Sequence, residues 1–285
     1  MKMTRRQFIL FTGALGLSSC ARVKVPLIGT GEKAPFTVAA MNDLHVKDAH
    51  STAFVNHAIE KINATQNLRF VAVLGDLSTS GQLSELNLAK TSLDRLAKPC
   101  LTLPGNHDVQ GNGPDVYANF EKVFGPTQWI REEGDWLFIG LNSCEGALSD
   151  VTIAPDRISW LRKQINKIKP GRPIALFAHH PFNPNTKKYR VKNTDEVLGL
   201  FSGHNLKLVA AGHWHGNQVT VCQQFVSVRQ TVATTNCEEH DGILFTTTAC
   251  CTSTRENFDE TTAKGYRLFH FDRDKVETEF VEVAV

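Results

Sequence analysis

Five times along this chain an apolar run stops at a bend and hands over to carboxylate, imidazole or amide side chains. The clusters are Asn42-Asp43-Leu44-His45, Gly75-Asp76, Gly105-Asn106-His107-Asp108, His179-His180-Pro181 and Gly212-His213-Trp214-His215. Pro and Gly end an extended segment sharply, so each cluster stands at the rim of a sheet. Read alone, Leu103-Pro104-Gly105-Asn106-His107-Asp108 is an ordinary polar turn. Its recurrence at four other strand ends makes it informative.

The runs that lead into these clusters read as buried strands at Phe36–Met41, 69–74, Cys100–Leu103, Pro173–Ala178 and 206–211, with a further strand at 135–141. Helical spacing separates them. Phe54, Ile59 and Ile62 share one face, as do Leu83, Leu86, Leu93 and Leu96 over 83–97, and Ile158, Leu161, Ile165 and Ile168 after Pro155. A further helix is expected at 194–202. Strands alternating with amphipathic helices predict an α/β sheet with right-handed crossovers and helices on its faces. In such sheets functional groups gather beyond the carboxyl ends of the strands. Past residue 217 the texture turns β-rich and hairpin-like, at 218–228, 242–248, 265–271 and 276–283. The first half therefore reads as a mixed sheet, packed against a second, more antiparallel one.

The pooled side chains at the strand ends are carboxylate, imidazole and amide oxygen, with no thiol. That set selects Zn, Mn or Fe over Cu(I) or an iron–sulfur cluster. Asp-x-His and His-x-His spacing puts two donors on one side of an extended segment. The donors exceed what one closed tetrahedral zinc takes, whereas two ions sharing a carboxylate would use them.

The five clusters in this order resemble the calcineurin-like metallophosphoesterase superfamily, over 36–271. Within it, Gly75-Asp76-Leu77 followed by a helix, then Pro104-Gly105-Asn106-His107-Asp108 and later His179-His180-Pro181, is most similar to the class III cyclic-nucleotide phosphodiesterase-like branch. The resemblance implies a four-layer αββα sandwich with two mixed sheets. It implies one metal on Asp43, His45 and His215, a second on Asn106, His179 and His213, and Asp76 shared by both. His107 would then be the catalytic imidazole, and phosphodiesters would be hydrolysed by attack of a metal-bound hydroxide. The protein Ser/Thr phosphatases of the superfamily carry G-D-x-V-D-R-G where this chain has Gly75-Asp76-Leu77-Ser78-Thr79-Ser80-Gly81. The carboxylate that pairs with their catalytic histidine is missing, which leaves open what orients His107. Asp108 reads as an orienting group or a solvated turn residue, with the second preferred.

Around this set, His180 and the basic stretch Lys187, Lys188 and Arg190 are candidates for contact with an anionic substrate. The other histidines, His50, His57, His204, His240 and His270, read as surface residues, and Trp129 and Trp136 as core. A small phosphate ester is the expected partner. Nearly balanced charge, +2 overall, excludes a polyelectrolyte binder of nucleic acid. A broad phosphomonoesterase, a hydrolase using one metal, and a catalytically silent metal-binding surface module are the alternatives.

The first 20 residues read as an export signal. Thr4-Arg5-Arg6-Gln7-Phe8-Ile9-Leu10 is a twin-arginine motif before a short apolar stretch broken by Gly13 and Gly16. It runs into Leu17-Ser18-Ser19-Cys20, a lipobox in which Cys20 would be lipidated. Losing Lys2, Arg5 and Arg6 with residues 1–19 takes the formal charge from +2 to −1. The expected organisation is a signal over 1–20, a tether over 21–34 and a catalytic domain over 35–285, in the periplasm or at the cell surface and held by lipid. Oligomeric state has no readable signal. An oxidising destination permits disulfides among the remaining six cysteines. Cys222 and Cys237, flanking an expected hairpin, are the preferred pair.

Overall fold

In this computed structural model, residues 34–111, 113, 115–183, 186–223 and 242–284 are described. They form two sheets packed face to face with helices on both outer surfaces. The first sheet takes β1 (Phe36–Met41), β2 (Leu68–Leu74) and β3 (Cys100–Leu103) from the first third of the chain. To these it adds β10 (Gly265–Asp272) and β11 (Lys275–Glu282), in the order β11-β10-β1-β2-β3. The second holds β4 (Trp129–Glu133), β5 (Trp136–Leu141), β6 (Pro173–Ala178), β7 (Asn205–Ala211), β8 (Gln218–Gln223) and β9 (Gly242–Thr247), in the order β4-β5-β6-β7-β9-β8.

Period-two alternation sorts the side chains into three cores. Val38 and Ala40 of β1, Phe70, Ala72 and Leu74 of β2, and Ala175 and Phe177 of β6 fill the space between the sheets, with Trp136 and Phe138. The opposite faces of β1 and β2, through Ala39, Met41, Val71 and Val73, bury helices α1 (Ala49–Asn63), α2 (Leu83–Leu93) and α3 (Ala118–Phe124). Ile174, Leu176 and Ala178 bury α4 (Pro155–Ile165) and α5 (Thr194–Gly199). Strands buried on both faces explain why these segments read as continuous apolar runs. Asp48 caps α1 through the Ser51 amide at 2.9 Å.

The expected αββα layers are present, but the strands are assigned to them differently. The second sheet is mainly parallel, through β5-β6, β6-β7 and β7-β9, with antiparallel β4 and β8 at its edges. The antiparallel C-terminal hairpin crosses to the first sheet, where β10 pairs with β1 from Phe36–Phe271 to Ala40–Arg267. Local texture reveals a hairpin but not which distant edge it caps. The edge strand β4 and helix α3 are also new. Residues 224–241, including Cys237, lie outside the described set, so the preferred disulfide does too. Cys100, Cys144, Cys250 and Cys251 are free thiols. No helix among the described residues is long and apolar enough to cross a membrane.

Candidate metal centre

Every expected ligand lies just past the carboxyl end of a strand, where the loops continue the parallel pairing for a few residues. The Asp43 amide donates to the Gly75 carbonyl at 3.0 Å and the His45 amide to that of Asp76 at 2.9 Å. In the other sheet the Gly212 amide donates to the His179 carbonyl at 3.1 Å. Five strand ends are thereby drawn together.

The backbone there is not extended. Of nine non-glycine residues with positive φ among those described, five are Asp43, His45, Asp76, His213 and His215. Left-handed conformations cost on the order of 1 kcal/mol or more each for side chains of this kind, and they collect where function holds them. Asp-x-His and His-x-His therefore converge through left-handed steps, not through strand alternation. The same correction applies to His180: β6 ends at Ala178, so alternation does not decide its direction.

Asp43, His45, Asp76 and His215 each offer a ligand atom within 4.8 Å of the others, and all four are buried. Asp43 Oδ1 and His215 Nε2 are 3.1 Å apart, and Asp43 Oδ2 accepts from the His213 amide at 2.8 Å. His179 Nε2 lies 3.2 Å from Asn106 Oδ1 and 3.4 Å from Asp76 Oδ1, so Asp76 touches both groups. Backbone carbonyls set the tautomers, since each can only accept. His179 Nδ1 donates to Leu74 at 2.8 Å, His215 Nδ1 to Glu256 at 3.0 Å and His213 Nε2 to Ser149 at 3.0 Å. The opposite ring nitrogens are left for the site. Both ring nitrogens of His45 are buried with no hydrogen-bond partner, and Asp43 Oδ1 meets only the His215 imidazole. Orphaned donors of this kind are what a bound cation would satisfy, and the oxygen and nitrogen set suits the expected ions.

Glycine makes the close approach possible. A Cβ on Gly105 would fall 2.1 Å from Asp76 Oδ1, and one on Gly212 2.8 Å from Asp43 Oδ2.

His107 stands beside this centre, half-buried, its ring 4.8 Å from that of His45. Its amide donates to Asp76 Oδ1 at 2.8 Å. Its Nδ1 meets the Thr79 carbonyl at 2.8 Å, which answers what orients it: a main-chain oxygen takes the place of the missing carboxylate. Asp108 is no solvated turn residue. It is fully buried, Oδ2 accepting from the Leu77 and Gly105 amides and Oδ1 from the amide and hydroxyl of Ser78. His180 is sealed as well, with Nδ1 3.0 Å from the Ser143 hydroxyl and Nε2 3.2 Å from the Leu148 carbonyl. Both nitrogens being used, it neither faces substrate nor adds a ligand to His179 and His213.

A cavity of about 450 Å³ opens over His45, Asp76, Asn106, His107, His213 and His215. Its outer wall is Ser149 and Tyr189, from the loops at 145–152 and 183–193 where the sequence places specificity, and Thr254, Arg255, Glu256 and Phe258, which the sequence does not single out. Lys187 and Lys188 are exposed and Arg190 half-buried, and all three lie off this wall. Tyr189, between them, is the residue of that stretch that faces the cavity.

Burial dominates the titration. It drives His45 down to about 2 and His213 down to about 3, and it also lowers His179 and His180. Burial and then the charge of Asp43 lift Asp76 well above the usual carboxylate range; burial lifts Asp108. For His215 burial acts downwards, but the Asp43 carboxylate outweighs it and raises the imidazole to about 11. On unfolding below pH ~6.5 the four depressed imidazoles take up protons, while Asp76, held well above the usual carboxylate range, releases one. The net uptake makes stability drop as the pH is lowered, by about 1.4 kcal/mol per pH unit for each net proton. Melting of metal-free protein is therefore expected to shift to lower temperature from pH 6.5 to 5. A flat or rising Tm would contradict the burial of neutral imidazoles.

Residues 36–217 match the family described as Calcineurin-like phosphoesterase. The probable glycerophosphodiester phosphodiesterase of Arcobacter nitrofigilis is 29% identical over 215 residues, covering 66% of this chain and 75% of its own length. The 3′,5′-cyclic adenosine monophosphate phosphodiesterase of Escherichia coli K12 is 20% identical over 198 residues, 62% of this chain and 70% of that one. Among solved structures, a purple acid phosphatase from yellow lupin (Lupinus luteus) seeds superposes with a TM-score of 0.65 at 14% identity, covering 87% of this chain. The chain spans about half, 52%, of that plant enzyme's length, and the likeness is one of fold. With the fold, the buried Asp43, His45, Asp76 and His215 cluster and the match over 36–217 in agreement, the chain belongs to the calcineurin-like phosphoesterase family.

Proposed function

We propose that this protein is an exported, lipid-anchored phosphodiesterase acting on small phosphate diesters with two metal ions. The observation that carries the reading is the buried set Asp43, His45, Asp76 and His215, with Asn106, His179 and His213 beside it and His107 left over. Asp43, His45 and His215 would hold one cation and Asn106, His179 and His213 the other, with Asp76 common to both. Bound there, the pair supplies Lewis-acid charge for the phosphoryl oxygens and lowers the pKa of water.

The chain's own residues do the rest. Carbonyls of Leu74, Glu256 and Ser149 lock the ring tautomers, so the ligands need no reorganisation on loading. Thr79 accepts from His107 Nδ1, which leaves Nε2 as the atom turned to the cavity; when it also carries a proton, it would pass that proton to the leaving alkoxide. The relatives named for glycerophosphodiesters and for cyclic adenosine monophosphate support diesters as the substrate class. The test is a panel of bis-p-nitrophenyl phosphate, cyclic nucleotides, glycerophosphodiesters and p-nitrophenyl phosphate. Diester turnover should vanish with EDTA and return with Mn²⁺, Zn²⁺ or Fe²⁺. Loaded protein that cleaves only the monoester would overturn the diesterase assignment.

Export and anchoring rest on Arg5-Arg6 and on Leu17-Ser18-Ser19-Cys20, ahead of a tether over 21–34 and a catalytic domain over 35–285. Cys20→Ala is expected to move the protein from the membrane fraction to the soluble periplasm, and Arg5→Lys with Arg6→Lys to retain it in the cytoplasm. Unaltered membrane association of the Cys20 variant would rule out a lipid anchor.

A further inference from the structure

Four of the six residues of the cavity's outer wall come from late in the chain. Thr254, Arg255, Glu256 and Phe258 lie between β9 and β10, beyond residue 217 where the family match stops. Phe258, at the mouth of this polar cavity, is 49% exposed. It is not loosely placed. Its amide donates to the His215 carbonyl at 3.0 Å, and Asp259 next to it accepts from the Asn217 amide at 2.8 Å. The ring lies 5.2 Å from that of His215 and 5.0 Å from that of Tyr189, at 16° to each. Tyr189 in turn stands edge-on to His213 at 5.8 Å, with its backbone at a φ of 58°. One aromatic ring therefore sits against each of the two histidines that would ligate different metals. Arg255 reaches the same wall, half-buried, with no carboxylate at ion-pair distance among the described residues.

We propose that Phe258 and Tyr189 form an aromatic shelf that selects phosphate esters with a planar arm, nucleoside or aryl, while Arg255 anchors the phosphate charge. The inference rests on the phosphodiesterase reading above. A planar arm leaving the metals past Phe258 finds nearly parallel rings and covers exposed apolar area, and stacking is sequence-tolerant because every base has a π-face. A glycerol arm has no face to offer and leaves that area wet. An unpaired guanidinium beside a cationic centre is best satisfied by an anion held by both. Selectivity is thus assigned to the rings and general affinity to the arginine.

The test uses metal-loaded protein and two readouts. Calorimetry measures Kd for adenosine 5′-phosphate and for glycerol 3-phosphate; steady-state kinetics measures kcat/KM for a cyclic nucleotide and for glycerophosphocholine. Wild type should favour the adenosine compound. Phe258→Leu, which keeps apolar volume but loses the plane, should cut that preference by roughly tenfold or more. Tyr189→Leu should cut it too, Phe258→Trp should retain it, and Arg255→Ala should weaken both ligands in the same proportion. Lack of preference in wild type, or an unchanged ratio in Phe258→Leu, overturns the shelf. So does equal loss for both ligands with loss of bound metal, because Phe258 would then merely support His215. If no diester is cleaved but the binding ratio shifts as stated, the diesterase reading falls and the shelf stands; intact cleavage with no ratio shift is the converse.

Discussion

Asp76→Asn is expected to lower turnover of bis-p-nitrophenyl phosphate by roughly a thousandfold or more, with the folded protein left intact. Asp76 is the carboxylate that both groups touch, 3.6 Å from His45 Nε2 and 3.4 Å from His179 Nε2. Its Oδ1 also accepts from the His107 amide, so one side chain ties the expected ligands to the expected proton donor. An amide keeps the shape and removes the charge that two cations would share. Folding should tolerate the exchange, because burial and the neighbouring Asp43 already hold Asp76 well above the usual carboxylate range. Metal content by elemental analysis should fall from two ions per chain, while Tm of the metal-free variant stays within a few degrees of wild type. Undiminished turnover at full metal content would remove Asp76 from the centre and the two-metal reading with it.

Asp108→Ala should be the most destabilising single change near the site, by about 3–5 kcal/mol. It would orphan three buried amides, those of Leu77, Ser78 and Gly105, while the Ser78 hydroxyl would keep only the His107 carbonyl as acceptor, at 3.2 Å. Buried donors left without acceptors carry their full desolvation penalty. In a domain of this size the loss corresponds to a Tm fall of roughly 10 °C. Asn106 and His107 lie inside the clamp that Asp108 makes back to Gly105, so activity of the surviving folded fraction should fall too. A thermal melt within 2 °C of wild type would show that the clamp is dispensable.

These two residues show where local pattern suffices and where it does not. Asp76 follows Gly75 at the end of an apolar run, and its proposed role is readable from that position and its four companion clusters. Asp108 sits in the same tetrapeptide as Asn106 and His107, yet it reads as a solvated turn. Its acceptors are used by amides some 30 positions away, on the loop after β2. The orientation of His107 was hidden in the same way, since a main-chain carbonyl at Thr79 has no side-chain signature. For His180 the adjacent, apparently equivalent His179 invites a shared role, and only packing against Ser143 and Leu148 separates them.

Alternating apolar runs and helical faces, with clustered carboxylates and imidazoles at the strand ends, determined the layers of this protein and the candidate residues of its proposed centre. That much is local, because burial on two faces and a bend before a polar cluster are written within ten residues. The tertiary structure alone decided which sheet the C-terminal hairpin joins, which nitrogen each histidine turns inward, and that Tyr189, Arg255 and Phe258 wall the cavity. Each of these is a contact between segments far apart in the chain, and such contacts exist only once the two sheets have closed on their common core.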